Sequence, residues 1–222
     1  MLGTRRILLS LVTLALGASF SITRAEDPKP IDLFDGKTLD GWKVSEFYKP
    51  GDVTVKDGEI HLAVGNPMSG ITSTRKDLLT TDYELSYEAK KVKGSDFFAA
   101  ATFPVGKSHL TLVNGGWGGH ITGLSSLNGA DASENETGRS YKYKDDTWYA
   151  FRIRVTDGVI RYAIDGKEFP PVEIEGRQVG TRTASNPSKP LGFSSYETQG
   201  IVRKIQIRKL SADEVKTVST VE

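Results

Sequence analysis

Apolar and polar residues alternate with a period of two along much of this chain. Val53 and Val55 lead into Asp57-Gly58, and Ile60, Leu62 and Val64 lead out of it. Tyr149, Phe151, Ile153 and Val155 precede Asp157-Gly158, with Ile160, Tyr162 and Ile164 beyond. Successive strand residues point to opposite faces, so such alternation gives each strand one apolar face. Asp and Gly tolerate the positive φ angles of a two-residue hairpin turn. The pattern therefore predicts a hairpin at each place. Further strands are predicted over Tyr83 to Val92, Asp96 to Phe103, His109 to Val113, His120 to Leu127, Leu191 to Tyr196 and Ile201 to Leu210. No segment carries an apolar stripe of helical period and length. Dense turns, many strands and no internal repeat predict an all-β fold, an antiparallel β-sandwich. The alternation also sets Arg152, Arg154 and Arg161 opposite Phe151, Ile153 and Ile160. That is a solvated outer sheet face, with an anion-binding concave face as the alternative.

The first residues break the pattern. Arg5 and Arg6 precede an apolar run from Ile7 to Ile22, and Thr23-Arg24-Ala25 closes it with a small residue. This is the layout of a secretory signal peptide over residues 1–25, short for a membrane span and diluted by serine, threonine and glycine, with an uncleaved anchor as the alternative. The domain plan is then a signal peptide at 1–25, one β-sandwich domain at 26–210 and a C-terminal tail at 211–222 that fits a short helix or a frayed end. The expected location is secreted or periplasmic, with no stable membrane insertion after cleavage. Losing three arginines and no acidic residue moves the formal charge from +1 to about −2. A near-neutral chain lacks the basic footprint of a nucleic-acid partner. With no cysteine, disulfides and thiolate metal sites are excluded, and stability must come from the core.

The candidate chemistry concentrates in Gly115-Gly116-Trp117-Gly118-Gly119-His120 and in Asp131-Ala132-Ser133-Glu134-Asn135-Glu136-Thr137. Glycine lets the main chain approach a ligand closely. An indole beside polar groups suits a sugar, whose C–H face stacks while its hydroxyls need hydrogen bonds. Trp117 is thus the candidate platform, or else core filling, whereas Trp42 and Trp148 read as structural. His120 is the first candidate base, since imidazole exchanges protons near neutral pH; a surface histidine is the plain alternative. His61 reads as exposed, and His109 as a possible border of the same hollow. In extended structure Glu134 and Glu136 share one face, where they would act in catalysis or, with Asp131 and Glu134 as ligands, hold a divalent cation such as Ca²⁺. A solvated polar loop is the alternative. Asn135, Arg139 and Tyr141 are candidate partners for sugar hydroxyls. The chain has no paired-carboxylate glucanase signature, no Gly-x-Ser-x-Gly elbow and no His-Glu-x-x-His.

Leu33-Phe34-Asp35-Gly36-Lys37-Thr38-Leu39-Asp40-Gly41-Trp42, the hairpin from Val53 to Val64 and the closing segments Tyr149 to Asp165 and Ile201 to Leu210 resemble the 3-keto-disaccharide hydrolase domain family. The resemblance spans Ile31 to Leu210. It implies a concanavalin A-like jelly-roll sandwich, usually exported, acting on a small carbohydrate partner. Some members cleave glycosides whose sugar is oxidised to a ketone at C3. Where the family has Phe-Phe-Arg, this chain reads Phe97-Phe98-Ala99 and lacks the guanidinium. The implied function is cleavage of 3-keto-glycosides by elimination or hydrolysis at the anomeric carbon. A ketone at C3 acidifies the C2 proton, so one base and one stabiliser of the enolate oxygen suffice. The alternative is a non-catalytic carbohydrate-binding or surface module on the same sandwich.

Overall fold

In a computed structural model describing residues 28–221, the alternating segments close into two facing antiparallel sheets. The signal peptide expected at 1–25 lies outside the described residues. The first sheet runs β13 (Lys167–Glu168), β12 (Val159–Ile164), β11 (Trp148–Val155), β6 (Tyr83–Gly94), β16 (Thr198–Lys209), β4 (Glu59–Leu62) and β3 (Val53–Lys56). Two short strands extend it, β1 (Ile31–Asp32) on β16 and β14 (Val172–Glu173) on β12. The second runs β10 (Arg139–Ser140), β9 (Ile121–Ser125), β8 (Ser108–Gly115), β7 (Ala100–Val105), β15 (Gly192–Tyr196), β5 (Met68–Ser73) and β2 (Trp42–Val44). This is the all-β antiparallel sandwich that the alternation predicts. Among the described residues no helix is long and apolar enough to cross a membrane.

The two predicted hairpins form by different means. Asp57 and Gly58 both take positive φ, 55° and 79°, as a primed two-residue turn requires. At Asp157-Gly158 neither φ is positive; there Thr156 closes the turn, its hydroxyl donating to the Val159 carbonyl and accepting from the Val159 amide.

Register carries the apolar faces into one core. Tyr83, Leu85 and Tyr87 on β6 stand opposite Val155, Ile153 and Phe151 on β11. Ile71, Phe193, Ala101 and Leu112 align across the second sheet. All are essentially buried, each large side chain contributing about 1.5–3 kcal/mol of transfer free energy. Tyr87 joins the layers, stacked on Phe151 and edge-on to Phe193, each at 4.8 Å. The Asn114 amide donates to its hydroxyl at 3.3 Å.

The outward face of the first sheet is a lattice of ion pairs. Arg154 and Arg208 both reach Glu84, and Arg152 pairs with Glu168. Arg161 donates to the carbonyls of Val218 and Thr220 at the end of a C-terminal helix, Ala212–Ser219. A capping box between Ser211 and Glu214 starts that helix, so within the tail the segment Ala212–Ser219 is helical. The outward face of the second sheet differs. Thr72, Gly192, Thr102, Thr111 and Ser125 form one row across five strands. A 3₁₀ segment, Thr183–Ser188, lies over part of it, with the Pro187 carbonyl accepting from the Thr72 hydroxyl at 2.6 Å. Gly192 is required there: a Cβ would come within 2.5 Å of the Ser188 carbonyl oxygen.

Candidate functional site

Beside the 3₁₀ segment the second sheet stays open as a cleft of about 560 Å³. Thr111, Val113 and Ser125 supply its floor. Phe97 and Tyr196 line it as a tilted aromatic pair 5.7 Å apart, and Trp117 and Arg182 line it as a second pair. The Arg182 guanidinium carbon lies 5.8 Å from the indole centroid. Size and mixed lining are those of a small-molecule site.

The walls follow from backbone conformation. Gly115, Trp117, Gly118 and Gly119 all have positive φ, so the main chain coils left-handed and pushes the indole outward. For a tryptophan this conformation costs about 1–3 kcal/mol, a strain that clusters at functional sites. Asp96 secures the turn: one carboxylate oxygen accepts from the Gly118 amide at 3.0 Å, the other from the Phe97 amide at 2.8 Å. Asp96 itself lines the cleft. Its own amide and carbonyl are held by the Thr198 hydroxyl, at 3.0 Å each. Arg182 is tied from behind by Asp131 at 3.0 Å, and Asp131 accepts in turn from the Ser126 hydroxyl at 2.7 Å.

The indole turn and the start of the acidic segment thus meet, joined through Arg182. The other predicted residues lie elsewhere. His120 is exposed and does not line the cleft; its carbonyl accepts from the Tyr141 amide. Residues 131–137 form a turn, so strand alternation does not hold and their spacing gives Glu134 and Glu136 no common face. Glu134 is exposed. Glu136 binds Arg177, whose hydrogen bond holds its carboxyl below the usual range. With Arg139 and Tyr162 they line a small flank hollow of about 170 Å³. Arg139 donates to the carbonyls of Glu136 and Gly138.

Asn135 is spent on the fold: its amide donates to the carbonyls of Leu124 and Ala130, and its oxygen accepts from Thr137. Tyr141 packs among Tyr143, Tyr149 and Phe169. The expected cation ligands do not fit a metal. Asp131 already carries a guanidinium, and among the described residues no three acidic or histidine side chains gather. His109 shares the outward face with Thr111 and Val113. Burial, then Lys189, holds its imidazole below the ordinary range.

Asp96, Phe97, Tyr196 and Arg182 escape a reading of the sequence. Asp96-Phe97-Phe98-Ala99 reads as strand, but Gly94 at φ 124° and Ala99 at φ 41° turn it into a corner. The one available signal is the run of small and hydroxylated residues, Thr102, Thr111 and Ser194, alternating with core positions.

No curated protein sequence matches the chain. Among solved structures, domain 4 of an extracellular arabinanase from Geobacillus stearothermophilus, in complex with arabinotriose, aligns at 16% identity with a TM-score of 0.56. The alignment covers 88% of this chain and 100% of that one. The Crh5 transglycosylase in complex with NAG aligns at 15% identity and a TM-score of 0.56, over 84% and 85% of the two chains. The carbohydrate-binding module CBM66 from Bacillus subtilis aligns at 10% identity and a TM-score of 0.50, over 76% and 96%. At these identities the likeness is one of fold, the concanavalin A-like jelly-roll sandwich. A sequence profile is more specific: it matches residues 29–208, and the chain belongs to the family described as the 3-keto-alpha-glucoside-1,2-lyase-like domain.

Proposed function

We propose that this chain is an exported carbohydrate-active protein that cleaves 3-keto-glycosides by elimination in the cleft of the second sheet. One observation carries the reading: a carboxylate, an indole and a guanidinium, those of Asp96, Trp117 and Arg182, line one open cleft over a floor of small side chains. The sugar's C–H face stacks on Trp117, with Phe97 and Tyr196 as the other aromatic contacts. Asp96 takes the C2 proton. It keeps free lone pairs for this, because each oxygen accepts only one backbone hydrogen bond. The electron pair released at C2 forms the C1=C2 double bond as the glycosidic C1–O bond breaks. The departing oxygen takes a proton from water and leaves as an alcohol, and Asp96 gives the C2 proton up to solvent to close the cycle. Arg182 donates to the enolate oxygen at C3. His120 gives up the role of base to Asp96 because it does not line the cleft.

A binding module without chemistry is the competing reading. It is favoured by the architectural work of Asp96, whose two oxygens already tie two turns together. Incubation with methyl 3-keto-glucoside, following the enone by ultraviolet absorbance, separates the two. The account predicts turnover that Asp96→Asn lowers about 100-fold or more and His120→Ala leaves nearly unchanged. Sugar binding without turnover establishes the module instead.

A further inference from the structure

The corner that carries Asp96 and Phe97 is gripped from behind by a single crossover, which leads the chain from β15 in the second sheet to β16 in the first. The Ser195 hydroxyl accepts from the Ala99 amide, and the Tyr196 amide donates to the Phe97 carbonyl, each at 3.0 Å. The Thr198 hydroxyl serves Asp96 twice, accepting from its amide and donating to its carbonyl. Thr198 is wholly buried. Its partner across the ladder is Gly94, where a Cβ would come within 2.5 Å of the Thr198 Cα and 2.6 Å of its hydroxyl oxygen. Only glycine at 94 therefore leaves that hydroxyl in place.

From Asp96 the connection runs on into the indole turn. One carboxylate oxygen accepts from the Gly118 amide, next to Trp117 in its costly left-handed conformation. Among the described residues no other side chain hydrogen-bonds to the main chain of Gly116–Gly119. We infer that Thr198 is a positioning residue: its buried hydroxyl, acting through Asp96, fixes both the carboxylate and the indole of the cleft. What this means for catalysis rests on the proposed reading of Asp96 as the base. There it matters, because displacing a reacting group by about 1 Å can cost about 100-fold in rate.

Two substitutions of opposite kind test the inference. Thr198→Val keeps the volume and deletes the hydroxyl, whereas Thr198→Ser keeps the hydroxyl and deletes a methyl group. If Thr198→Val does not fold, Thr198→Ala deletes the same hydroxyl with a smaller side chain. The direct readout is the NMR order parameter of the Trp117 and Gly118 amides, with Ile153 in β11 as the reference. We expect both turn amides near the rigid value of about 0.85 in the wild-type and Thr198→Ser proteins. In Thr198→Val they should fall below about 0.6 while Ile153 stays rigid. With methyl 3-keto-glucoside as substrate, kcat should drop about tenfold in Thr198→Val and stay within about twofold in Thr198→Ser. A merely structural threonine would lower the melting temperature and leave Gly118 rigid, which overturns the inference. So does equal loosening in Thr198→Ser, or an unchanged kcat beside a mobile Gly118. The expected order parameters without any wild-type turnover remove the elimination chemistry and leave Thr198 as the residue that shapes the cleft.

Discussion

The outward face of the first sheet carries long charged side chains, with Glu84 shared by Arg154 and Arg208 and Glu88 by Arg203 and Lys204. The outward face of the second carries Thr72, Thr102, Thr111 and Ser125, with glycine at 192. Both faces alternate with core residues in the same way, so period-2 patterning does not tell them apart. Side-chain length does. Paired long charges cover much of the first face, and the hollow of about 600 Å³ left there, between Arg154, Arg161 and the C-terminal helix, has no aromatic side chain in its lining. Short hydroxylated residues leave a recess on the second, and the turns holding Asp96, Trp117 and Arg182 wall it.

Substitutions on the two faces should therefore separate chemistry from stability. The largest effect is expected at Asp96: Asp96→Asn lowers kcat about 100-fold or more, whereas Arg154→Gln on the other face leaves kcat within about twofold. A rate for Asp96→Asn near that of wild type would break the comparison. Trp117→Ala comes next, removing the platform and raising KM for a 3-keto-glucoside roughly 3- to 10-fold, with a smaller change in kcat. Steady-state kinetics on both variants check this, and an unchanged KM would return the indole to a structural role.

The charged face is expected to act on folding. Bidentate hydrogen bonds from Arg208, at 2.8 and 2.6 Å, hold the Glu214 carboxyl down at about 2. A depressed carboxylate stabilises the fold in its ionised form. That contribution is complete above the ordinary value of 4.5 and disappears as pH falls through about 2. Since the pair opens to solvent at its edge, Glu214→Gln should cost only about 1 kcal/mol at pH 7 and almost nothing near pH 2. Denaturant melts at the two pH values measure it; a loss that persists at pH 2 would contradict the ionic account.

The smallest effect is expected at His109. Burial and Lys189 make its imidazole harder to protonate in the fold than in the unfolded chain, which takes up a proton as pH drops below about 6.5. Stability should therefore decline slightly between pH 7 and 5, and His109→Gln should flatten that slope. An equal slope in the variant would assign the decline to other groups.

The β3–β4 hairpin was legible because its turn dipeptide and its flanking valines and isoleucine agree. β5 was not, because Met68–Ser73 is buried on both faces and shows no alternation. Within the site, the left-handed indole turn could be anticipated from Gly115-Gly116-Trp117-Gly118-Gly119. The partner it turns toward could not. Arg182 lies 65 residues further along the chain by number, in a loop that resembles any other polar connection. Glu134 and Glu136 misled for a related reason: two-residue spacing means a shared face only in a strand, and Asn135 folds that segment into a turn.

A crystal structure of the Asp96→Asn protein soaked with methyl 3-keto-glucoside tests the central claim most directly. The account predicts the keto sugar stacked on Trp117, its C2 toward position 96 and its C3 oxygen within hydrogen-bond reach of Arg182. A sugar bound at the flank hollow beside Glu136 and Arg139, with the cleft of the second sheet empty, would contradict it.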